Sequence, residues 1–138
     1  MKSALVDTSF LVSLVSSRER QHQACVQVAQ TIRTQLVIPI TVLPETTHLI
    51  ATRVSHRAMR AFIRQLQSPH WYIENLGMND FERAAEILDQ YHDTELDFAD
   101  STIVAIAERM NIETILTLDQ RDFRMIRPSH VDYFTILP

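Results

Sequence analysis

Four acidic residues stand where an α/β fold could gather catalytic carboxylates. Asp7 and Asp119 come at the ends of short apolar runs, and Glu45 and Asp100 lie in the first turns of predicted helices. Carboxylate oxygens are ligands that Mg²⁺ prefers. A bound divalent cation activates water and offsets the charge that develops on a phosphate during hydrolysis. The chemistry that this set would support is therefore metal-assisted cleavage of phosphodiester bonds.

Spacing alone leaves the assignment of these acids open. Asp97 and Asp100 are spaced as a helix N-cap and its N3 partner, and Asp119 and Asp122 share the same spacing. One member of each pair could therefore be purely structural. The two remaining acids could equally serve as helix-start residues, which accept backbone N–H groups or interact favourably with the helix dipole.

The elements that would position these acids are short strands alternating with helices. We predict strands at 3–6, 36–39, 71–73, 114–117 and 133–137. We predict helices at 8–16, 18–34, 41–54, 55–67, from 79 or 80 to 92 and from 97 through 110, and a helical turn at 122–125. Such alternation indicates a three-layer α/β/α fold around a mostly parallel sheet of about five strands. Ligands of open α/β sheets bind outside the carboxyl ends of the strands, so the four acids could meet at one edge.

Composition is that of an ordinary globular protein. The chain has 138 residues, 46% of them hydrophobic and 22% charged, which fits a single domain over residues 1–138. No apolar run reaches the roughly 18 residues that span a membrane, and we expect no signal peptide. Cys25 is the only cysteine and cannot form an internal disulfide, so we expect a cytoplasmic protein.

Glycine content and net charge narrow the function further. Gly77 is the only glycine, so neither a phosphate-binding glycine-rich loop nor a dinucleotide fingerprint can be present. The formal net charge of −4 argues mildly against a nucleic-acid binder. Four site carboxylates alone would account for that charge, and a bound metal would reduce their repulsion of a nucleic acid.

Four sequence blocks together resemble PIN-domain nucleases. In that family a strand ends in Asp-Thr-Ser, a helix carries a Glu, another helix opens with an Asp before small residues, and a late strand leads into Thr-x-Asp-x-Arg-Asp-Phe. The corresponding blocks here are residues 6–12, 42–45, 97–109 and 115–123. Their order and spacing match the family over nearly the whole chain.

The resemblance implies a function and a set of site residues. It identifies Asp7, Glu45, Asp100 and Asp119 as catalytic metal ligands for Mg²⁺, with Mn²⁺ able to substitute. It implies that four neighbours orient those carboxylates: Thr8, Thr117, Asp97 and Asp122. Small PIN domains of this kind are commonly VapC-like toxins of type II toxin–antitoxin systems. The resemblance therefore implies a metal-dependent endoribonuclease with an RNA substrate, an antitoxin protein as partner and a homodimeric state.

A row of arginines forms a second candidate contact. Arg53, Arg57, Arg60 and Arg64 are spaced by 4, 3 and 4 residues, which would place them on one helical face. They could contact RNA phosphates or a partner protein, or they could form an ordinary solvated face. A helix break at Ser55 would separate Arg53 from the other three.

The sequence is also compatible with alternative functions. A PIN nuclease could act in RNA processing or maturation, with the same site chemistry, or a PIN domain could be a catalytically silent binding module. Two other acidic-site folds are disfavoured by single residues. A haloacid-dehalogenase-type phosphatase would have a second Asp at the position of Ser9, and a response-regulator receiver would have a lysine late in the chain.

Overall fold

A five-stranded parallel sheet forms the centre of the computed structural model, which describes residues 3–33 and 35–138. The strands are β1 (Ala4–Val6), β2 (Leu36–Pro39), β3 (Trp71–Glu74), β4 (Thr114–Leu116) and β5 (Thr135–Leu137). Their order across the sheet is β3-β2-β1-β4-β5, and every neighbouring pair is parallel. The predicted α/β fold with about five short strands is confirmed, and the sheet is parallel throughout the described part of the chain.

Helices connect and cover these strands. They are α1 (Thr8–Val15), α2 (His22–Thr31), α3 (Leu43–Arg53), α4 (His56–Gln65), α5 (Met78–Gln90), α6 (Phe98–Met110) and α7 (Gln120–Met125), with a 3₁₀ turn at Ile40–Val42. The middle of α6 is buried continuously from Ser101 to Ala107, so this helix packs as part of the core. Within residues 3–33 and 35–138 no helix has the length and apolar character needed to cross a bilayer.

Several helix and strand boundaries differ from the predictions. α2 begins at His22 and not at residue 18, because the preceding residues form successive turns in which the N–H groups of Glu19 and His22 each bond a carbonyl three residues back. The predicted end of that helix, at Thr34, lies outside the described residues. The last strand begins at Thr135 rather than at 133.

Two other helices begin at residues that differ from the predicted ones, the first because of a long-range contact and the second because of a local one. Thr41 was predicted to start α3, yet it lies in the 3₁₀ turn and its hydroxyl bonds that of Thr102, 2.6 Å away. α5 was predicted to start at Asn79 or Asp80 but begins at Met78, so Asp80 lies in its first turn, where its carboxylate accepts the Gly77 N–H at 2.9 Å.

The sheet topology decides which chain segments meet. β1 is the central strand, and its residue Val6 lies opposite Leu116 of β4. The segments that follow these two strands, which carry Asp7 and Thr117, therefore leave the sheet side by side. The N–H of Asp7 bonds the Leu116 carbonyl at 2.9 Å, which continues the pairing to the edge where the acids were expected.

Candidate active site

An acidic groove of about 460 Å³ opens at this edge of the sheet. All four predicted catalytic acids line it: Asp7, Glu45, Asp100 and Asp119. Four further acids also line it, namely Glu19, Glu95, Asp97 and Asp122, whereas Arg53 is the one basic residue among the described lining residues. Carboxylates from widely separated chain segments thus share one solvent-filled space.

Asp7 is the buried member of this cluster. It caps the start of α1, where one carboxylate oxygen accepts the Thr8 N–H at 2.8 Å, and its side chain retains little exposure. The Thr117 hydroxyl donates to the other oxygen, also at 2.8 Å. Burial nevertheless raises the pKa of Asp7 to about 6, because the two hydrogen bonds do not compensate for lost hydration and nearby acids add repulsion.

The Thr117 hydroxyl links Asp7 to the segment that carries Asp119. While it donates to Asp7, its oxygen accepts the Asp119 N–H at 2.9 Å. The Ser9 hydroxyl lies 3.2 Å from the same oxygen and accepts the Leu118 N–H at 2.9 Å. Since the Thr117 proton is already used, Ser9 donates in this contact. The α1 start and the loop after β4 are therefore joined through a saturated set of hydroxyl bonds.

Asp97 and Asp100 form a reciprocal cap at the start of α6. The Asp97 carboxylate accepts the Asp100 N–H at 2.9 Å, and the Asp100 carboxylate accepts the Asp97 N–H at 3.3 Å. Burial, followed by the charges of Asp97 and Asp7, raises the pKa of Asp100 to about 8. The sequence left open which of the pair is structural, and the structure places both in the cap and both beside the groove.

The remaining predicted residues take more exposed or more distant positions. Glu45 is exposed in the first turn of α3. Asp119 is also exposed, and its pKa is raised by partial burial and by the adjacent Asp122 charge. The Thr8 hydroxyl does not contact a carboxylate; it donates to the Val42 carbonyl and accepts from Thr46, which ties α1 to the start of α3.

Comparison with known proteins identifies the family to which the chain belongs. A sequence model of the PIN domain matches residues 4–127. The chain belongs to the PIN domain family. It is 35% identical over 134 residues to Ribonuclease VapC26 of Mycobacterium tuberculosis, covering 97% of this chain and 99% of that protein.

Solved structures share the same PIN fold. VapC20 of M. tuberculosis, a toxin that cleaves the sarcin–ricin loop, superposes with a TM-score of 0.79 at 25% identity, over 86% of this chain and 90% of that one. A toxin–antitoxin complex from Klebsiella pneumoniae gives a TM-score of 0.68 at 23% identity, over 89% and 92% of the two chains. VapBC2 of Rickettsia felis gives 0.69 at 14% identity, over 98% and 97%. At these low sequence identities, the last two structures show a similarity of fold alone.

The donor set of this PIN domain fits a hard divalent cation. Neither His nor Cys is among the described residues that line the groove, and its acids offer oxygen donors only. Among residues 3–33 and 35–138, no three His, Cys, Asp or Glu side chains are placed to hold an ion directly together. Mg²⁺ typically keeps several waters and uses one or two protein carboxylates. Burial first and then repulsion between the acids raise the carboxyl pKa values, and a cation would relieve the repulsion.

Some groove residues were not predicted as site residues. Glu19 comes from the turns between α1 and α2, and Glu95 from the loop before α6; neither belongs to a motif or a periodic pattern. Ser9 belongs to the Asp-Thr-Ser block, and its position there was the one sequence feature that could have identified it as a site residue. Its hydroxyl contacts identify it as a residue that positions the loop after β4.

The helix break at Ser55 separates Arg53 from the other three arginines of the predicted row. Arg53 ends α3, lines the PIN groove and pairs with Glu19 at 3.2 Å. Arg57, Arg60 and Arg64 are exposed on α4 and do not line the groove. The Ser55 hydroxyl caps α4 by accepting the Ala58 N–H at 3.0 Å. RNA or partner contact by the three α4 arginines stays a prediction.

Proposed function

We propose that residues 1–138 form a single PIN domain that hydrolyses RNA phosphodiester bonds as a metal-dependent endoribonuclease and serves as the toxin of a type II toxin–antitoxin pair. The observation that carries the proposal is the groove lined by Asp7, Glu45, Asp100 and Asp119, in a chain 35% identical over nearly its full length to Ribonuclease VapC26. An acid-lined groove without His or Cys among its described lining residues favours Mg²⁺ as the cation, with Mn²⁺ able to substitute.

In this proposal the four acids bind the cation, one or two of them directly and the others through its bound waters, and neighbouring residues orient the acids. When bound, the cation would supply positive charge at the phosphate and ease the deprotonation of attacking water. Thr117 fixes the Asp7 carboxylate from one side and the Thr8 N–H fixes it from the other. The Asp97 backbone N–H fixes Asp100. Such supporting bonds orient ligands and preserve their geometry during the reaction.

RNA cleavage with matched variants tests this proposal. Wild-type protein incubated with total bacterial RNA and Mg²⁺ should produce discrete new ends, and EDTA should abolish them. Asp7→Asn and Asp100→Asn should reduce the rate by several orders of magnitude, because each removes a charged donor. Asp132→Asn changes an exposed Asp outside the groove and should cut at the wild-type rate. Equal rates for Asp7→Asn, Asp100→Asn and wild type would show that the site is assigned wrongly.

The toxin role makes a separate prediction about partners. We propose that the protein acts in the cytoplasm as a homodimer, and that a small neighbouring gene encodes its antitoxin. The relatives solved as toxin–antitoxin complexes support a protein partner. Induced expression should arrest growth, and co-expression of the neighbouring gene should restore it. If Asp7→Asn arrests growth as strongly as wild type, the arrest does not come from RNA cleavage and the toxin role is refuted. Sedimentation of the purified protein tests the dimer.

A further inference from the structure

The groove continues well beyond the catalytic acids. Glu45, Leu49 and Arg53 all line it, and their spacing of four residues places them on one face of α3. Eight residues of α-helix correspond to about 12 Å, so Arg53 lies that far along the helix from Glu45. Val12 and Ser13 of α1 line the facing wall. The groove therefore has an acidic end, a partly apolar middle and an end that carries a cation.

Arg53 is held at that end by an ion pair that water can reach. Its guanidinium lies 3.2 Å from the Glu19 carboxylate, and the two side chains are 56% and 31% exposed. Arg53 also lines an adjoining cavity of about 150 Å³ that includes Arg18. Ion pairs this exposed contribute little to stability, so Arg53 can exchange Glu19 for another anion at small cost.

The charge distribution makes an RNA phosphate the fitting anion. Eight acids line the groove and repel a polyanion, so a strand entering it requires compensating positive charge. The guanidinium of Arg53 presents paired N–H donors that match phosphate geometry. Leu49, which is partly exposed, provides apolar surface between the two ends, against which a ribose or base can pack. An RNA strand has both features that this groove would bind: phosphates that repeat along its backbone, and bases and riboses with apolar faces.

We propose that Arg53 binds a phosphate of the RNA strand away from the scissile bond, and that Glu19 competes with RNA for this guanidinium. The inference rests on the proposed ribonuclease function. Arg53 then anchors and orients the strand across the groove, and Arg18 extends the cationic path into the adjoining cavity. Glu19 sets the strength of the anchor, since RNA must displace it before the phosphate contact forms.

Binding of RNA by four variants tests the anchor. The probe is a fluorescein-labelled RNA spanning a site that the wild-type protein cuts in total bacterial RNA, measured by anisotropy in EDTA. Arg53→Gln should weaken binding about tenfold, the loss expected for one charge-assisted contact. Its slope of log affinity against log salt should be smaller by about 0.7, which corresponds to one phosphate contact on a single strand. Glu19→Gln should tighten binding about threefold, and the double variant should bind as Arg53→Gln does.

Controls separate the anchor from a structural ion pair and from the proposed function. Arg33→Gln removes an exposed arginine that lines neither cavity and should bind as wild type. In cleavage assays Arg53→Gln should raise KM about tenfold and leave kcat within about twofold. If Glu19→Gln weakens binding as much as Arg53→Gln, or Arg53→Gln keeps wild-type affinity, the anchor is refuted while the ribonuclease function stands. If wild-type protein cuts no RNA, both proposals fall together.

Discussion

Replacing Asp7 by Asn is expected to stabilise the metal-free protein at about pH 8 while it abolishes RNA cleavage. Burial raises the pKa of Asp7 from 3.8 to about 6 in the folded chain. The difference corresponds to about 3 kcal/mol in the free energy of unfolding, by which the protein with a protonated Asp7 is more stable than the protein with an ionised Asp7. Because the folded pKa is raised, this stability is fully present below about pH 4 and is lost as the pH rises through about 6. Asparagine carries no charge and avoids that loss.

The net gain is smaller, because Asn cannot reproduce both hydrogen bonds of the carboxylate. An amide nitrogen at the second position cannot accept the Thr117 hydroxyl, which costs about 1 kcal/mol. About 2 kcal/mol of stabilisation then remains at pH 8. At about pH 5 the folded carboxyl is mostly neutral while the unfolded one is ionised, so the penalty falls to about 1.6 kcal/mol. The expected gain there is about 0.6 kcal/mol.

Thermal unfolding in EDTA at the two pH values measures this difference. A change of 2 kcal/mol corresponds to about 6 °C in Tm for a domain of this size, and the gain should shrink to about 2 °C at pH 5. Asp132→Asn, at an exposed position, controls for the general loss of one negative charge and should follow wild type at both values. An Asp7→Asn protein less stable than wild type at pH 8, or a gain independent of pH, would refute the electrostatic reasoning.

Three further predictions concern a hydroxyl at the site, an ion pair outside the groove and the binding of metal. Thr117→Val removes the hydroxyl between Asp7 and the Asp119 N–H; cleavage should fall about tenfold, and Thr117→Ser should restore it in the same kinetic assay. Arg109→Gln deprives the buried Asp80 of a 3.0 Å partner, so urea unfolding should show a loss of about 2 kcal/mol at unchanged kcat. Millimolar Mg²⁺ should raise the Tm of wild type at pH 8 and not that of Asp7→Asn.

Local signals made much of this fold predictable. Ser55 caps α4 through the N–H of Ala58, and Asp97 with Asp100 closes the start of α6. These bonds join residues three positions apart, so their pattern can be read directly from the sequence. The buried strands are likewise short uninterrupted apolar runs, as expected for strands covered on both faces.

Features that depend on contacts between residues far apart in the sequence could not be predicted from local patterns. Thr41 has the composition of a helix cap, but a hydroxyl partner 61 residues away holds it in a 3₁₀ turn. Glu19 reaches the groove only because turns after α1 bring it beside Arg53. Spacing also could not rank Asp97 against Asp100. In the folded chain both line the groove, and Asp100 is the less exposed of the two.

The bond between Thr117 and Asp7 has a consequence for how the protein is made. It joins positions 110 residues apart, so the segment that carries Asp7 is synthesised well before the segment that carries Thr117. Before β4 emerges from the ribosome, β1 lacks its second neighbour and Asp7 lacks the hydroxyl that holds it. At about 5–20 residues per second, roughly 5–20 s separate the synthesis of Asp7 from that of Thr117, and the site cannot assemble before then. A chain truncated ahead of β4 carries three of the four predicted ligands and has no complete groove to place them in.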